Sequence, residues 1–154
     1  MQKLLKVLIG DNSVPFGMEC RSHLTGSGAD VSLVPKDGNR VLQAIQDLHP
    51  DVVVMEAFMS QRDAIDVLRA MDRHTRLPKV IVVSGYDNKY IENELLQNGA
   101  SVYMLRPFDV QTLCDRIMEL GGIATGRPLD INHPGNATDD LESIVTDLIL
   151  HIGV

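Results

Sequence analysis

Short apolar runs alternate five times with amphipathic helical segments between Lys6 and Leu120. The runs are rich in Val, Ile and Leu, as buried strands are, and the segments after them carry apolar residues at helical spacing. Strict alternation of strands and helices predicts a parallel sheet, because right-handed crossovers then place helices on both of its faces. The predicted fold class is therefore α/β, with a doubly wound five-stranded parallel sheet.

The boundaries of the predicted elements follow from turn and cap residues. The predicted strands are Lys6–Gly10, Ala29–Val34, Val52–Glu56, Lys79–Ser84 and Ser101–Leu105. The first predicted helix is capped by Asn12 and Ser13 and ends near Gly26. The third is marked by the apolar residues Ile65, Leu68 and Met71. The second, fourth and fifth predicted helices are Gly38–Leu48, Lys89–Asn98 and Val110–Leu120.

Composition narrows the class of protein. The net charge of −7 argues against direct binding to nucleic acid or an anionic membrane, because both need clustered Lys and Arg. The apolar start of the chain is too short for a membrane span and lacks a signal cleavage site, so a cytoplasmic protein is expected. Cys20 and Cys114 fall on different predicted helices, which favours buried thiols and leaves a disulfide as the weaker alternative. Scattered histidines suggest no zinc site.

Short segments that each contain a polar or charged residue lie at the ends of four of the predicted strands. In an open α/β sheet a site forms beyond the carboxyl ends of the strands, so these residues are expected to converge. They are Gly10-Asp11-Asn12 after the first strand, Glu56 after the third, Ser84-Gly85 after the fourth and Arg106-Pro107-Phe108 after the fifth.

This set resembles the response-regulator receiver family over about residues 5–120. The segment Asn98–Asp109 is a strong match to the family's last block, with Arg106 in place of Lys. The resemblance implies a flavodoxin-like strand order, 2-1-3-4-5, and a non-enzymatic regulatory role. Within the family the chain looks most like the sporulation transcription factors, because Leu141–Val154 resembles the first helix of their DNA-binding effector domain.

Several positions depart from the family pattern. Glu56 stands where the family has its phospho-accepting Asp, and Gly10 stands where it has the first of two acids. Asp11 matches the second acid, and the resemblance implies that it and the backbone carbonyl of Phe58 are the remaining Mg²⁺ ligands. Metal binding is therefore expected to be weak at most, and phosphorylation inefficient. Ser60 replaces the family's usual Pro, which predicts a looser loop.

Arg106 occupies the position of the family's phosphate-contacting Lys. Its planar guanidinium suits carboxylates, so we expect it to pair directly with Asp11 or Glu56; the alternative is a solvated pair at the rim of the pocket. The resemblance also implies that the bond from Arg106 to Pro107 is cis. Ser84 and Tyr103 match the family's switch pair, although Ser84 could simply cap a turn and Tyr103 could be a half-exposed strand aromatic.

The predicted domains are a receiver over residues 1–120, a Gly- and Pro-containing linker over 121–137, and an amphipathic helix over 138–154. The apolar stripe of that helix could dock on the receiver, pair with another copy, or precede an effector domain beyond Val154. We favour a truncated regulator, whereas a short native protein whose last helix completes its own core is the alternative. Any DNA contact would then come from residues beyond this chain.

Three classes of function remain open. The first is a regulatory receiver with a degenerate phosphorylation site, which acts through its effector domain and through protein contacts. These contacts include a homodimer through the fourth helix, fifth strand and fifth helix, as in the family. The second is a working Mg²⁺-dependent phosphoacceptor served by a phosphotransfer protein. The third is a flavodoxin-like cofactor binder, which the acidic loop after the first strand disfavours.

Overall fold

The structure is a computed structural model that describes residues 4–123. The predicted helix over 138–154 and all but the first three residues of the predicted linker lie outside the described residues. The strands are β1 (Leu5–Gly10), β2 (Ala29–Val34), β3 (Val52–Glu56), β4 (Lys79–Ser84) and β5 (Val102–Leu105). The helices are α1 (Val14–Thr25), α2 (Gly38–Leu48), α3 (Ala64–Ala70), α4 (Lys89–Gln97) and α5 (Val110–Leu120).

The strands form one parallel sheet in the order β2-β1-β3-β4-β5. β3 lies at the centre, and its residues Val52 to Met55 are all buried because helices cover both faces. The order reverses between β1 and β3, so the carboxyl ends of these two strands border the crevice where an α/β sheet binds its ligand. The predicted fold class and strand order are confirmed.

Alternate residues of the strands feed two separate apolar cores, one on each face of the sheet. Val7, Ile9, Val52 and Val54 face the core under α1 and α5, whereas Leu8 faces the core under α2, α3 and α4. This period of two is the normal pleat of a strand, and it fixes the register of each strand because a shift by one residue would exchange the two faces.

Four helices begin at a side chain that accepts a hydrogen bond from the first turn. Ser13 caps α1, Asp37 caps α2, Asn88 caps α4 and Asp109 caps α5. Each cap satisfies backbone N–H groups that a helix start otherwise leaves unpaired, and each lies directly after a strand or its loop. Within residues 4–123, no helix is long and apolar enough to cross a membrane.

Cys20 on α1 and Cys114 on α5 are buried free thiols that meet between the two helices. A hydrogen bond to Cys114, together with burial, raises the pKa of the Cys20 thiol far above its ordinary value. Cys20 therefore stays protonated and unreactive, since the thiolate is the nucleophilic form. The pair contributes packing, in agreement with the predicted buried thiols.

The loop after β3 is fastened to the start of α2. Ser60 forms a parallel bridge with Asp37, its N–H donates to the Lys36 carbonyl over 3.3 Å, and its carbonyl accepts from the N–H of Gly38 over 2.8 Å. Proline has no N–H and could not make the first of these bonds. The serine therefore adds a backbone hydrogen bond that proline could not make, and the loosening of this loop relative to a proline-containing one stays a prediction.

Gly38 is required by the close approach of this loop. A Cβ at residue 38 would lie 2.1 Å from the carbonyl oxygen of Arg62, which is backbone and has little freedom to move. We expect Gly38→Ala to lower the free energy of unfolding by about 1–3 kcal/mol, although alanine is normally the better helix former. Urea unfolding measures the change.

Gly26→Ala is the matched control, because a Cβ at residue 26 has nothing within 4 Å and the residue already has right-handed helical angles. This variant should be neutral or stabilise the protein by up to about 1 kcal/mol. Equal effects of the two substitutions would contradict the close contact at Gly38.

Gly10 at the end of β1 is also closely packed, although less tightly than Gly38. A Cβ there would lie 2.7 Å from Cγ2 of Val41, a fully buried residue of α2. The side chain of Val41 therefore occupies the space that a side chain at residue 10 would need, so a larger residue at 10 requires a smaller one at 41.

A double-mutant cycle tests this competition for space. Gly10→Ala should cost about 1–3 kcal/mol through overpacking, and Val41→Ala a similar amount through the cavity it leaves. The double variant should be more stable than the sum of the two losses predicts, by at least about 0.5 kcal/mol in urea unfolding. Additive losses would show that the two side chains do not compete for space.

Candidate functional site

A pocket of about 300 Å³ opens at the carboxyl ends of β1, β3 and β5. Asp11 follows β1, Glu56 ends β3, and Arg106 follows β5, so three of the predicted site residues share this pocket. It is lined by Asp11, Asn12, Ser13, Phe16, Lys36, Glu56 and Arg106.

Arg106 bridges the two acids of the pocket. Its Nη2 donates to Oε1 of Glu56 in a short ion pair and to Oδ2 of Asp11 over 3.3 Å. The carboxylate side chains are 14% and 16% exposed, and that of Arg106 is 37% exposed. The pair is thus more sheltered than an ordinary surface ion pair, and the structure brings together both of the acids named as alternatives for Arg106.

Two aromatic rings flank the guanidinium. Its central carbon lies 5.8 Å from the ring centre of Phe16 and 5.6 Å from that of Phe108. Both distances fall within the range of cation–π attraction, which favours the charged group over the ring face. The backbone N–H of Arg106 also donates to the Ser84 carbonyl over 2.8 Å, and the bond to Pro107 is cis. Backbone and side chain therefore hold Arg106 across the pocket.

Asp11 is oriented by the loop that begins at it. Its Oδ1 accepts from the backbone N–H of Ser13 over 2.7 Å, while its backbone N–H donates to the Val34 carbonyl. One carboxylate oxygen thus serves the turn into α1 and the other serves Arg106. The acid has a structural role on one side and an electrostatic role on the other.

Ser84 and Tyr103 meet at the backbone of Tyr86. The buried Ser84 hydroxyl accepts from the N–H of Tyr86 over 3.0 Å, and the Tyr103 hydroxyl donates to the carbonyl of the same residue over 2.6 Å. The ring of Phe58 packs edge-on against the ring of Tyr86, with centres 5.7 Å apart. The two predicted switch residues therefore both form hydrogen bonds with the backbone of Tyr86, in the loop between β4 and α4.

Ser84 does not bind the pocket acid. Within residues 4–123 no hydrogen bond joins Ser84 to Glu56, whose carboxylate is paired with Arg106. The negative charge of Glu56 is thus directed toward the guanidinium and away from the loop that Ser84 and Tyr103 hold.

The donor set of the pocket does not fit Mg²⁺ as it is arranged. The ion prefers near-octahedral oxygen ligands, but Gly10 offers no carboxylate and Arg106 binds both remaining acids. Among the described residues no three acidic, His or Cys side chains are grouped as metal ligands. A divalent ion would have to displace the guanidinium, so no reaction step is assigned to a metal.

Two lining residues of the pocket, Lys36 and Phe16, were not among the residues predicted for the site. Lys36 follows β2, the one strand whose end was not considered, and reading all strand ends together would have included it. Phe16 was not singled out from the sequence, and Phe108 was named only as part of the segment that follows the fifth strand. Their contact with Arg106 depends on tertiary packing, for which the local sequence carries no signal.

Comparisons with known proteins agree with this geometry. The family model described as "Response regulator receiver domain" matches residues 7–118. An uncharacterised response regulatory protein of Vibrio vulnificus is 29% identical over 143 residues, which is 92% of this chain and 57% of that protein. Regulatory protein AtoC of Escherichia coli is 35% identical over 77 residues, 50% of this chain and 17% of that protein.

The fold is also that of solved receiver domains. The signal receiver domain of the putative response regulator NarL from Mycobacterium tuberculosis superimposes with a TM-score of 0.70 at 23% identity, covering 82% of this chain and all of that one. The chain spans little more than half the length of the Vibrio relative and a smaller share of the Escherichia coli one. The family match, the strand order and the site at the strand ends together show that this chain belongs to the response regulator receiver domain family.

Proposed function

We propose that this receiver is a regulatory module whose pocket is neutralised from within, so that it works through protein contacts and is neither an enzyme nor an efficient phosphoacceptor. The observation that carries the proposal is the bond from Arg106 to both Asp11 and Glu56. A guanidinium there takes the place that a metal ion or a phosphate-contacting cation would otherwise fill.

Charge balance supports this proposal. The acids Asp11 and Glu56 are matched within the pocket by the cations Arg106 and Lys36. A divalent ion is favoured where unpaired carboxylates surround it, and such an excess of negative charge is missing from this pocket. Neutrality also reduces the attraction for a phosphodonor, because Arg106, one of the two local cations, is already paired with both acids.

The chemistry of Glu56 points the same way. Phosphorylation would require a carboxylate oxygen to attack phosphorus in line with the leaving group while charge is stabilised around the transferred phosphoryl group. The extra methylene of glutamate moves that oxygen by roughly 1.5 Å, and misplacement on this scale can cost about a hundredfold in rate. The ion pair with Arg106 lowers the reactivity of the same oxygen further, because the pair would have to break first.

The loop around Tyr86 is the proposed route of regulation. Ser84 and Tyr103 both form hydrogen bonds with the backbone of Tyr86. The carbonyl of Ser84 in turn accepts a hydrogen bond from the backbone N–H of Arg106. A partner that displaces Tyr103 would therefore also act on Ser84 and, through it, on Arg106. Tyr86 in this loop is 64% exposed and Tyr90 at the start of α4 is 71% exposed, so both are accessible to a partner. The face formed by α4, β5 and α5 is the proposed homodimer surface.

The proposed setting is a cytoplasmic transcription factor of the sporulation type, with a DNA-binding effector domain beyond Val154. The resemblance of Leu141–Val154 to the first helix of the effector domain of stage zero sporulation protein A supports this setting. A phosphotransfer protein and weakly bound Mg²⁺ belong to the alternative, in which Glu56 still accepts a phosphoryl group. The open pocket with two acids is the observation that favours this alternative.

Phosphorylation with acetyl phosphate and Mg²⁺ separates the two functions. In the reaction a carboxylate oxygen would bond to phosphorus as acetate leaves, giving an acyl phosphate. We expect the parent protein and a Glu56→Gln variant to remain unmodified in intact-mass spectra. The Glu56→Asp/Arg106→Lys variant should accumulate an adduct, because it restores the shorter acid and frees it from the guanidinium fork.

An adduct on the parent that disappears in Glu56→Gln would overturn the proposal and establish the phosphoacceptor. Failure of the double variant to react would show that Glu56 and Arg106 are not what silences the pocket. Gly10→Asp/Val41→Ala, added to the double variant, then tests whether the missing first acid is responsible, since Val41 occupies the space that such an acid needs.

A further inference from the structure

A second cleft, of about 650 Å³, lies between α2 and α3 and shares no lining residue with the Glu56 pocket. Most of its lining residues are polar, and two of them are arginines, Arg62 in the loop before α3 and Arg69 on α3. The lining residues are Asn39, Gln61, Arg62, Asp66, Arg69 and Ala70. The receiver chemistry described above uses none of them.

Arg62 is held in place by the fastened loop. Its Nε donates to Oδ1 of Asn39 over 2.7 Å, and its backbone carbonyl lies against Gly38 so closely that no Cβ fits between them. Within residues 4–123 this is the one hydrogen bond of its side chain, and no carboxylate lies within ion-pair distance. Its two terminal nitrogens are thus available to a ligand.

Arg69 has a similar arrangement in the same cleft. Its Nε donates to Oδ1 of Asn98 over 3.3 Å, and among the described residues it too has no ion-pair partner. Each guanidinium is therefore oriented by a neutral amide that consumes one donor and leaves the charge uncompensated. Such preorganised forks suit carboxylates and phosphates, which accept two parallel hydrogen bonds.

Gln61, which also lines this cleft, has an unusual backbone conformation. Its φ of 67° lies in the left-handed region, which a non-glycine residue adopts at a cost of about 1–3 kcal/mol. The bonds of Ser60 to Lys36 and Gly38 hold the preceding residue and so maintain this geometry. Strain of this kind is concentrated at binding sites, where it presents a side chain in a fixed direction.

The lining favours one class of ligand. Asp66 lines the same cleft and would repel the concentrated charge of a phosphate dianion, but it can accept hydrogen bonds from peptide N–H groups. The side-chain amides of Asn39 and Gln61 can donate to peptide carbonyls, and the cleft is open along its length. We propose that it binds an acidic peptide segment of a partner protein, with carboxylates on Arg62 and Arg69.

The charge of the protein sharpens this proposal. The chain carries a net charge of −7, so the protein as a whole repels an acidic partner, and the two arginines of the cleft provide a local attraction. Local attraction within general repulsion favours specificity over affinity. The expected binding is therefore weak and sensitive to salt.

NMR titration with a hexaglutamate peptide tests the proposal on the whole chain. In ¹H–¹⁵N spectra of the labelled protein, the amides of Asn39, Gln61, Arg62 and Arg69 should shift in a saturable manner, and added salt should weaken the binding. Arg62→Gln/Arg69→Gln should reduce the affinity by about tenfold or more, since each charged hydrogen bond contributes about as much as a tenfold change.

Two further variants keep the result interpretable. Lys89→Gln/Arg116→Gln removes the same amount of charge from elsewhere on the surface and should change the affinity less than about twofold, as expected for exposed positions. Asp66→Asn removes the repelling carboxylate and should tighten the binding, and this gain is measurable even if the double arginine variant folds poorly.

Several outcomes would overturn the inference. They are the absence of saturable shifts in the parent, equal weakening in both double variants, and loss of binding in Asp66→Asn. Inorganic phosphate that produces the same shifts where hexaglutamate does not would show a small-anion site and contradict the peptide assignment. None of these results bears on whether Glu56 is phosphorylated, so the two proposals fail separately.

Discussion

The bond of one guanidinium to two carboxylates is the interaction on which the rest of the site depends. Arg106 reaches from the end of β5 to Glu56 on β3 and Asp11 after β1, so it crosses above β4 and joins three strand ends. Phe16 and Phe108 shield it from the sides. Without this cation, two carboxylates would face each other in a sheltered pocket with Lys36 as their remaining cation.

Three departures from the family pattern, at Gly10, Glu56 and Arg106, are compatible with one another in packing and in charge. Gly10 lacks an acid, and Val41 occupies the space where its side chain would begin. Arg106 supplies a guanidinium where the family pattern has a lysine ammonium, and Glu56 extends far enough to pair with its Nη2, which also contacts Asp11. A single reverse substitution would therefore leave the others mismatched, which is why the variants that test phosphorylation change acid and base together.

The fold could be predicted almost completely, because alternating apolar runs and cap residues are local signals. The predicted end of β3 at Glu56 and the predicted α2, Gly38–Leu48, agree with the structure, whereas β5 starts one residue later than expected. The site could be predicted only where residues follow strand ends. The contacts of Phe16 with Arg106, the bridge from Asp37 to Ser60 and the orientation of Arg62 by Asn39 all join distant segments. Such contacts depend on how helices settle on the sheet, and sequence periodicity does not encode them.

The coupling free energy between Glu56 and Arg106 tests the central claim most directly. Urea unfolding of the parent, Glu56→Gln, Arg106→Gln and the double variant gives this quantity as a double-mutant cycle. We predict a favourable coupling of about 1 kcal/mol, at the upper end for exposed pairs, because the Glu56 side chain is 16% exposed. Losses that add to within about 0.3 kcal/mol would contradict the claim, since Arg106 would then not neutralise the pocket acid.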